Sequence, residues 1–276
     1  MRAALFQMTS GIDPAANADA LVDAIAQAKA GGADILFTPE MAAYLDRDRT
    51  RAAGLLTREA DNIVLARVRE AAARVGIWVH LGSVACAGER PDGRWSNRSL
   101  MIDATGAIRA RYDKMHLFDV DLATGESWRE SSVYGPGEAL VTVDTPWARM
   151  GLSVCYDLRF PDLYRALTDA GATVLLVPAA FTVPTGEAHW HVLLRARAIE
   201  AGAFVIATAQ VGQHDDGRVT YGHSLVIDPW GTVLLDMDTE SGIRFVDLDL
   251  DQVAQVRARI PAIANRRTVP ADVVQA

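Results

Sequence analysis

Cysteine is scarce in this chain of 276 residues: there are two, Cys86 and Cys155, in unrelated segments, with no CxxC pair. Two cysteines are too few for a disulfide framework or a structural zinc centre, and a reduced, cytoplasmic chain is the expectation. Long apolar runs are also absent. The most apolar stretch, ATVLLVPAAFTVP, is broken by prolines and falls short of the roughly 20 residues of a membrane span. The opening MRAALFQMTSGIDP is apolar too briefly for a signal peptide and reads as a first strand. No block of one charge interrupts the sequence. The balance is acidic, −8 with a pI near 5.2, which speaks against a nucleic acid or an anionic membrane as partner.

What is present is ordinary core material, 50 % hydrophobic and 22 % charged, enough for two domains or one large layered α/β domain. The segments repeat. GADILFTPE (32–40) matches GATVLLVPA (171–179), SLMIDATGAI (99–108) matches SLVIDPWGTV (224–233), and VGIWVHLGSVA (75–85) more weakly matches AGAFVIATAQV (201–211). RAALFQM (2–8) and RMGLSVC (149–155) fit the same scheme. Each half reads strand, helix, strand, helix, strand, hairpin, with Asp103 and Asp228 just before the hairpin turns. Strands such as DILF, TVLLV and GLSVC are continuously apolar, as strands covered on both faces are. Two such halves predict a four-layer α-β-β-α sandwich with a pseudo-twofold, a single domain over residues 1–276.

The repeat also exposes asymmetry. Where the first half has Glu40 the second has Ala179, and Cys155 stands where the first half has Met8. Glu40 follows a buried strand, Lys114 follows the first hairpin, and Cys155 ends an apolar run. Singly they have ordinary roles: an acid near a helix start, a solvated lysine, a buried thiol. Together they are a kit for acyl transfer from an amide. A thiol needs a base, a carboxylate supplies one, and an ammonium with a backbone N–H, here that of Tyr156, stabilises an oxyanion.

PEMAAYL around Glu40, YDKMHLFDVD around Lys114 and SVCYDLRFPDLYRAL around Cys155 resemble the three signature blocks of the nitrilase, or carbon–nitrogen hydrolase, superfamily, in the right order and over the full length. The resemblance implies the α-β-β-α fold reached from the repeat. It implies Glu40 as general base, Lys114 as oxyanion stabiliser and Cys155 as nucleophile, with a thioester intermediate and neither metal nor organic cofactor. A second family glutamate matches Glu130, sixteen positions after Lys114, and would hold the lysine; Glu126 is a further carboxylate in the same loop.

PAAFTVPTGEAHWHVLLRARAIEAGAFVIATAQVG followed by YGHSLVIDPWGTVL looks like the Nit branch, which implies an amidase that splits deaminated glutathione into α-ketoglutarate and cysteinylglycine. The near relatives, ω-amidases acting on α-ketoglutaramate, are the alternative, and N-carbamoyl or other amides come next. Either keto-acid substrate carries a carboxylate, for which Arg159 is the candidate partner. Phe181, Thr182 and Trp190, in a loop expected to form a pocket wall, are candidate contacts beside Tyr156. His116, His189, His191 and His223 show no metal spacing and are expected to make structural hydrogen bonds. The resemblance implies a homodimer or higher homo-oligomer. A non-catalytic metabolite-binding protein on the same fold is the reading from a different class, and a redox sensor at Cys155 the remaining one.

Overall fold

The structure is a computed structural model describing residues 1–121, 125 and 127–269. The first half contains strands Arg2–Gln7 (β1), Ile35–Phe37 (β2), Trp78–Cys86 (β3), Ser96–Ile102 (β4) and Ile108–Asp113 (β5), with helices Pro14–Ala30 (α1), Arg49–Leu55 (α2) and Ile63–Val75 (α3). A small hairpin, Asp119–Asp121 (β6) and Ser127–Arg129 (β7), follows. The second half contains Thr142–Asp144 (β8), Arg149–Leu152 (β9), Val174–Leu176 (β10) and Phe204–Ala207 (β11), with helices Pro161–Asp169 (α4) and Val183–Ala201 (α5). A short pair, Val211–Gln213 (β12) and Val219–Tyr221 (β13), precedes Leu225–Ile227 (β14), Val233–Asp236 (β15), Gly242–Asp247 (β16) and the helix Gln252–Arg259 (α6).

Two six-stranded sheets result, ordered β16-β1-β2-β3-β4-β5 and β15-β14-β11-β10-β9-β8. In each, three strands run parallel and a hairpin follows antiparallel: β1, β2, β3 then β4 and β5, and β9, β10, β11 then β14 and β15. The internal repeat is therefore a repeat of topology. Its hairpin turns are built alike. Asp103 Oδ1 accepts from the N–H groups of Thr105 and Ala107, and Asp228 Oδ1 accepts from those of Trp230 and Thr232. The repeat did not reveal the sixth strand of each sheet. β16 returns to pair antiparallel with β1, and β8 pairs antiparallel with β9.

Alternation along the strands sets the layers. Ala3, Leu5, Ile35 and Phe37 pack into one core with the second sheet, whereas Ala4 and Leu36 pack against Leu21 and Ile25 of α1 and Val68 of α3. On the far side Leu163 and Leu167 of α4 and Trp190 and Leu194 of α5 cover the second sheet. The order is helix, sheet, sheet, helix, the predicted sandwich. Each fully buried Leu, Ile, Phe or Met contributes about 1.5–3 kcal/mol of burial free energy. The helices start where the local chemistry says: Asp13 caps α1 by accepting from the Ala15 N–H with Pro14 behind it, and Asn62 caps α3 through the Leu65 N–H. α3 ends at Gly76 with φ of 67°.

One expectation changes in kind. The segment FTVPTGEAHW, expected as a loop, turns helical at Val183, and only its first residues reach toward the strand ends. Pro184 sits in the first turn of α5, where its missing N–H costs nothing.

Candidate active site

The C-terminal ends of the parallel strands face one another across the sandwich, and the pseudo-twofold brings matched loops together there. Glu40 lies three residues beyond β2 and is 4 % exposed. Its turn is held by the Thr38 N–H on the His80 carbonyl (3.0 Å) and the Met41 N–H on Ser83 Oγ (2.9 Å). Such a close approach requires a glycine in β3, at the irregularity between Leu81 and Val84. A Cβ on Gly82 would lie 2.1 Å from the Thr38 carbonyl oxygen and 2.5 Å from that of Pro39.

Cys155 lies three residues beyond β9 at the start of a 3₁₀ turn, Cys155–Arg159, with φ of 51°. A left-handed backbone at a non-glycine residue costs free energy and persists only where the surroundings impose it. Here they do. The Cys155 N–H donates to the Pro178 carbonyl (2.8 Å), and the buried Asp157 accepts from the Val154 N–H (2.9 Å). The Tyr156 N–H donates to no backbone group among the described residues.

Lys114 follows β5 and is 2 % exposed. Its Nζ lies 3.0 Å from Glu40 Oε1 and 3.1 and 2.9 Å from the two Glu130 carboxylate oxygens. Glu130 is fixed in turn by the Phe118 N–H at 2.6 Å. Asn97 Nδ2 donates to Glu40 Oε1 at 2.8 Å and reaches Glu130 Oε1 at 3.4 Å, and the Ala180 N–H donates to Glu40 Oε2 at 3.0 Å. Burial works against the Lys114 ammonium, yet the charges of Glu130 and Glu40 and the nearby thiol hold its pKa well above the usual value. For Cys155 the balance favours the neutral thiol. Burial and then the Glu40 charge push its pKa well up, against the opposing pull of Lys114 and the Ala180 N–H.

Glu40, Lys114, Glu130 and Cys155 line one cavity of about 410 Å³, with Tyr156, Phe181 and Thr182 on its wall. Two expected contacts are elsewhere. Trp190 is wholly buried behind Phe181, ring centroids 4.7 Å apart, and donates its indole N–H to the His223 carbonyl at 2.7 Å. Arg159 is not on the cavity lining either. Its guanidinium stacks over Phe181 (5.6 Å) and Tyr156 (5.9 Å) and reaches His189 Nδ1. The arginines that do line the cavity are Arg47, Arg49, Arg129 and Arg218. Glu126 lies outside the described residues.

Sequence reading missed Asn97, the Ala180 N–H, Gly82, Asp157 and these arginines. Ala180 had a signal: it adjoins Ala179, the repeat partner of Glu40, so the small residue in the second copy lets that loop donate to the glutamate of the first. The others are non-local contacts with no local pattern. His116 donates from its backbone N–H to Asp157 and pairs with it through Nδ1 at 2.7 Å. Among the described residues, His191, His223 and Asp236 form the group able to offer three metal-ligand atoms within 4.8 Å. Asp236 already bridges both imidazoles, at 2.9 Å to His191 Nε2 and 3.0 Å to His223 Nδ1, and none of the three lines the cavity.

A buried thiol, a carboxylate and an ammonium therefore share one cavity between the two facing sheets. The carbon–nitrogen hydrolase family matches residues 2–258, and the chain belongs to that family. It is an amidase-type hydrolase of carbon–nitrogen bonds. It is 39 % identical over 268 residues to the deaminated glutathione amidase of Yersinia enterocolitica, covering 96 % of this chain and 93 % of that one. Among solved structures, the NitFhit protein of C. elegans superposes with a TM-score of 0.88 at 36 % identity, over 96 % of this chain and 65 % of that longer one. Saccharomyces cerevisiae Nit3, a member of branch 10 of the nitrilase superfamily, gives 0.86 at 25 % identity over 97 % of both chains. Among the described residues no helix is long and apolar enough to cross a membrane.

Proposed function

We propose that this amidase hydrolyses deaminated glutathione to α-ketoglutarate and cysteinylglycine, with Cys155 as nucleophile, Glu40 as general base and acid, Lys114 as oxyanion stabiliser and Glu130 as the residue that positions the lysine. The observation that carries the reading is the contact of Lys114 Nζ with Glu40 and Glu130 on the cavity that Cys155 lines. Relatives named deaminated glutathione amidase, matching nearly the whole chain, support the choice of substrate.

Burial and the Glu40 charge raise the thiol pKa, and in this mechanism Glu40 takes the proton as Sγ attacks the amide carbon. The carbonyl oxygen becomes an oxyanion beside Lys114 Nζ and the Tyr156 N–H; one such donor is worth about 3–4 kcal/mol of barrier. Glu40 passes its proton to the amine nitrogen, the C–N bond breaks, and the amine departs, leaving a thioester on Cys155. Water then loses a proton to Glu40 and attacks the thioester. Collapse releases the carboxylic acid, and Glu40 returns the proton to sulfur. Both halves use the same two donors for the oxyanion.

The reading extends to residues 1–276 acting as one catalytic domain in the cytoplasm, and to a homodimer. Val192 and Ile199, seven positions apart on α5 and 68 % and 54 % exposed, support a helix-faced contact between copies; a strict monomer by light scattering counts against it. The functional test is product analysis by mass spectrometry with deaminated glutathione and α-ketoglutaramate in parallel, for wild type and Cys155→Ala. Cysteinylglycine release that disappears in the variant is expected. Preferential release of ammonia from α-ketoglutaramate keeps the chemistry and changes the substrate. A folded protein that turns over neither overturns the reading.

A further inference from the structure

Four arginines line the cavity, and three are committed. Arg129 clamps Asp121 with two bonds of 2.8 Å, Arg218 holds Asp216 through Nε and Nη2 at 2.8 Å each, and Arg49 donates to Ser132 Oγ and the Arg129 carbonyl. The Arg47 guanidinium has no hydrogen-bond or ion-pair partner among the described residues. The acids beside it are engaged elsewhere, Asp48 in capping α2 through the Thr50 and Arg51 N–H groups. Asp46 is taken by Arg51 Nε and Nη2 and by the Tyr44 hydroxyl, and Asp216, whose side chain is fully buried, is neutralised by Arg218. Asp216 also pins the Arg47 backbone, accepting its N–H at 2.8 Å. A residue held at its backbone on the cavity wall therefore carries a solvent-facing positive charge that none of the described residues compensates.

Its place on the reaction path follows from burial. Cys155, Glu40 and Lys114 are 8 %, 4 % and 2 % exposed, whereas Arg47 is exposed. The amine must leave while the acyl group stays bonded to sulfur, an order that suits a leaving group directed to the solvent side of the buried reacting atoms. We infer that Arg47 forms a subsite for a carboxylate on the amine leaving group, and so selects amides whose leaving group is an acidic amino acid derivative or peptide over those that release a neutral amine or ammonia. This rests on the proposed amidase reading and deepens it, because a guanidinium pairs with a carboxylate through two charge-assisted hydrogen bonds.

The test compares deaminated glutathione with the same molecule amidated at its C-terminal glycine, in wild type, Arg47→Ala and Arg47→Lys. Both substrates carry the same acyl group and differ only in the leaving-group carboxylate. Wild type is expected to show a KM about tenfold lower for the free acid, in line with a hydrogen bond to a charged group. Arg47→Ala should erase that ratio, and Arg47→Lys should restore part of it. Wild-type preference that survives in Arg47→Ala, or no preference in wild type, overturns the subsite alone. A wild type that cleaves neither compound overturns the functional reading and the subsite together.

Discussion

The Tyr112 hydroxyl donates a 2.7 Å hydrogen bond to the Asp157 carboxylate in the interior of the sandwich. Tyr112 stands two residues before Lys114, and Asp157 two residues after Cys155. The same carboxylate accepts from the N–H groups of Val154 and His116 at 2.9 Å each. One buried acid therefore ties the end of the first hairpin, which carries the ammonium, to the turn that carries the thiol.

Asp157→Asn keeps the shape but loses the charge on every one of these bonds, and one amide face can no longer accept. The expected outcome is a loss of about 1–3 kcal/mol in stability by urea unfolding. Turnover should fall on the order of 100-fold with KM little changed, because the thiol and the ammonium are misplaced while the cavity wall survives. Full turnover in a folded variant would show that the two elements hold their positions without Asp157.

Gly82 is the second positioning point, through absence of a side chain. In Gly82→Ala the new Cβ would press on the carbonyl oxygens of Thr38 and Pro39 at 2.1 and 2.5 Å and on Pro178 Cβ at 2.6 Å. Thr38 and Pro39 lead into Glu40, and the Pro178 carbonyl accepts from the Cys155 N–H, so both sides of the site must shift. The variant should lose about 1–3 kcal/mol of stability through overpacking, and most of its amidase activity. Gly54→Ala is the control. Nothing lies within 4 Å of its added Cβ in α2, and it should stabilise by up to about 1 kcal/mol. Equal behaviour of the two would refute the steric account.

How much of this was legible beforehand divides by range. The strand–helix alternation, the hairpin turns at Asp103 and Asp228, and the separation of the apolar strands into a duplicated sandwich are local or repetitive patterns, and the sequence carries them. Glu40, Lys114 and Cys155 were singled out by an asymmetry between copies and by family blocks. The sixth strands β8 and β16 lie outside the repeat. The ties through Asn97, Asp157 and Asp216 join residues whose spacing has no period. Arg159 is four residues from Cys155 in sequence, but its 3₁₀ turn stacks its guanidinium on Tyr156 and Phe181. Trp190 lies in a segment that reads as a loop, and helix α5 turns it into the core.

Stability should fall in mild acid partly because of His80. Burial pushes its pKa down to about 3 from 6.5, and its Nε2 meets Ser99 Oγ at 2.9 Å. The unfolded chain binds a proton at this residue below its unperturbed pKa while the folded chain does not, so stability is full above that point and declines as pH falls toward the folded value. Between pH 7.5 and 5 the decline from this residue is roughly 2 kcal/mol. Urea unfolding at the two pH values should show it in wild type. His80→Gln should be less stable overall but with a flatter pH dependence; an unchanged slope would assign the acid sensitivity to other groups.

If Glu40 is the base of the proposed mechanism, removing its charge should have opposite effects on the reactivity of the thiol and on turnover, which separates a base from a mere neighbour. Its charge raises the Cys155 pKa, while Lys114 lowers it. In wild type, alkylation by iodoacetamide should therefore keep accelerating as pH rises through 9, with no plateau near neutrality. Glu40→Gln removes the charge that disfavours thiolate and leaves the lysine, so alkylation at pH 8 should become faster. Amide turnover should fall by about 10²–10⁴-fold, because nothing remains to take the thiol proton or deliver it to the amine. Slower alkylation together with lost turnover would mean that Glu40 organises the site without acting as its base. A plateau in wild type between pH 6 and 7 would mean a preformed thiolate, and the proton would then have to reach the leaving amine by another route.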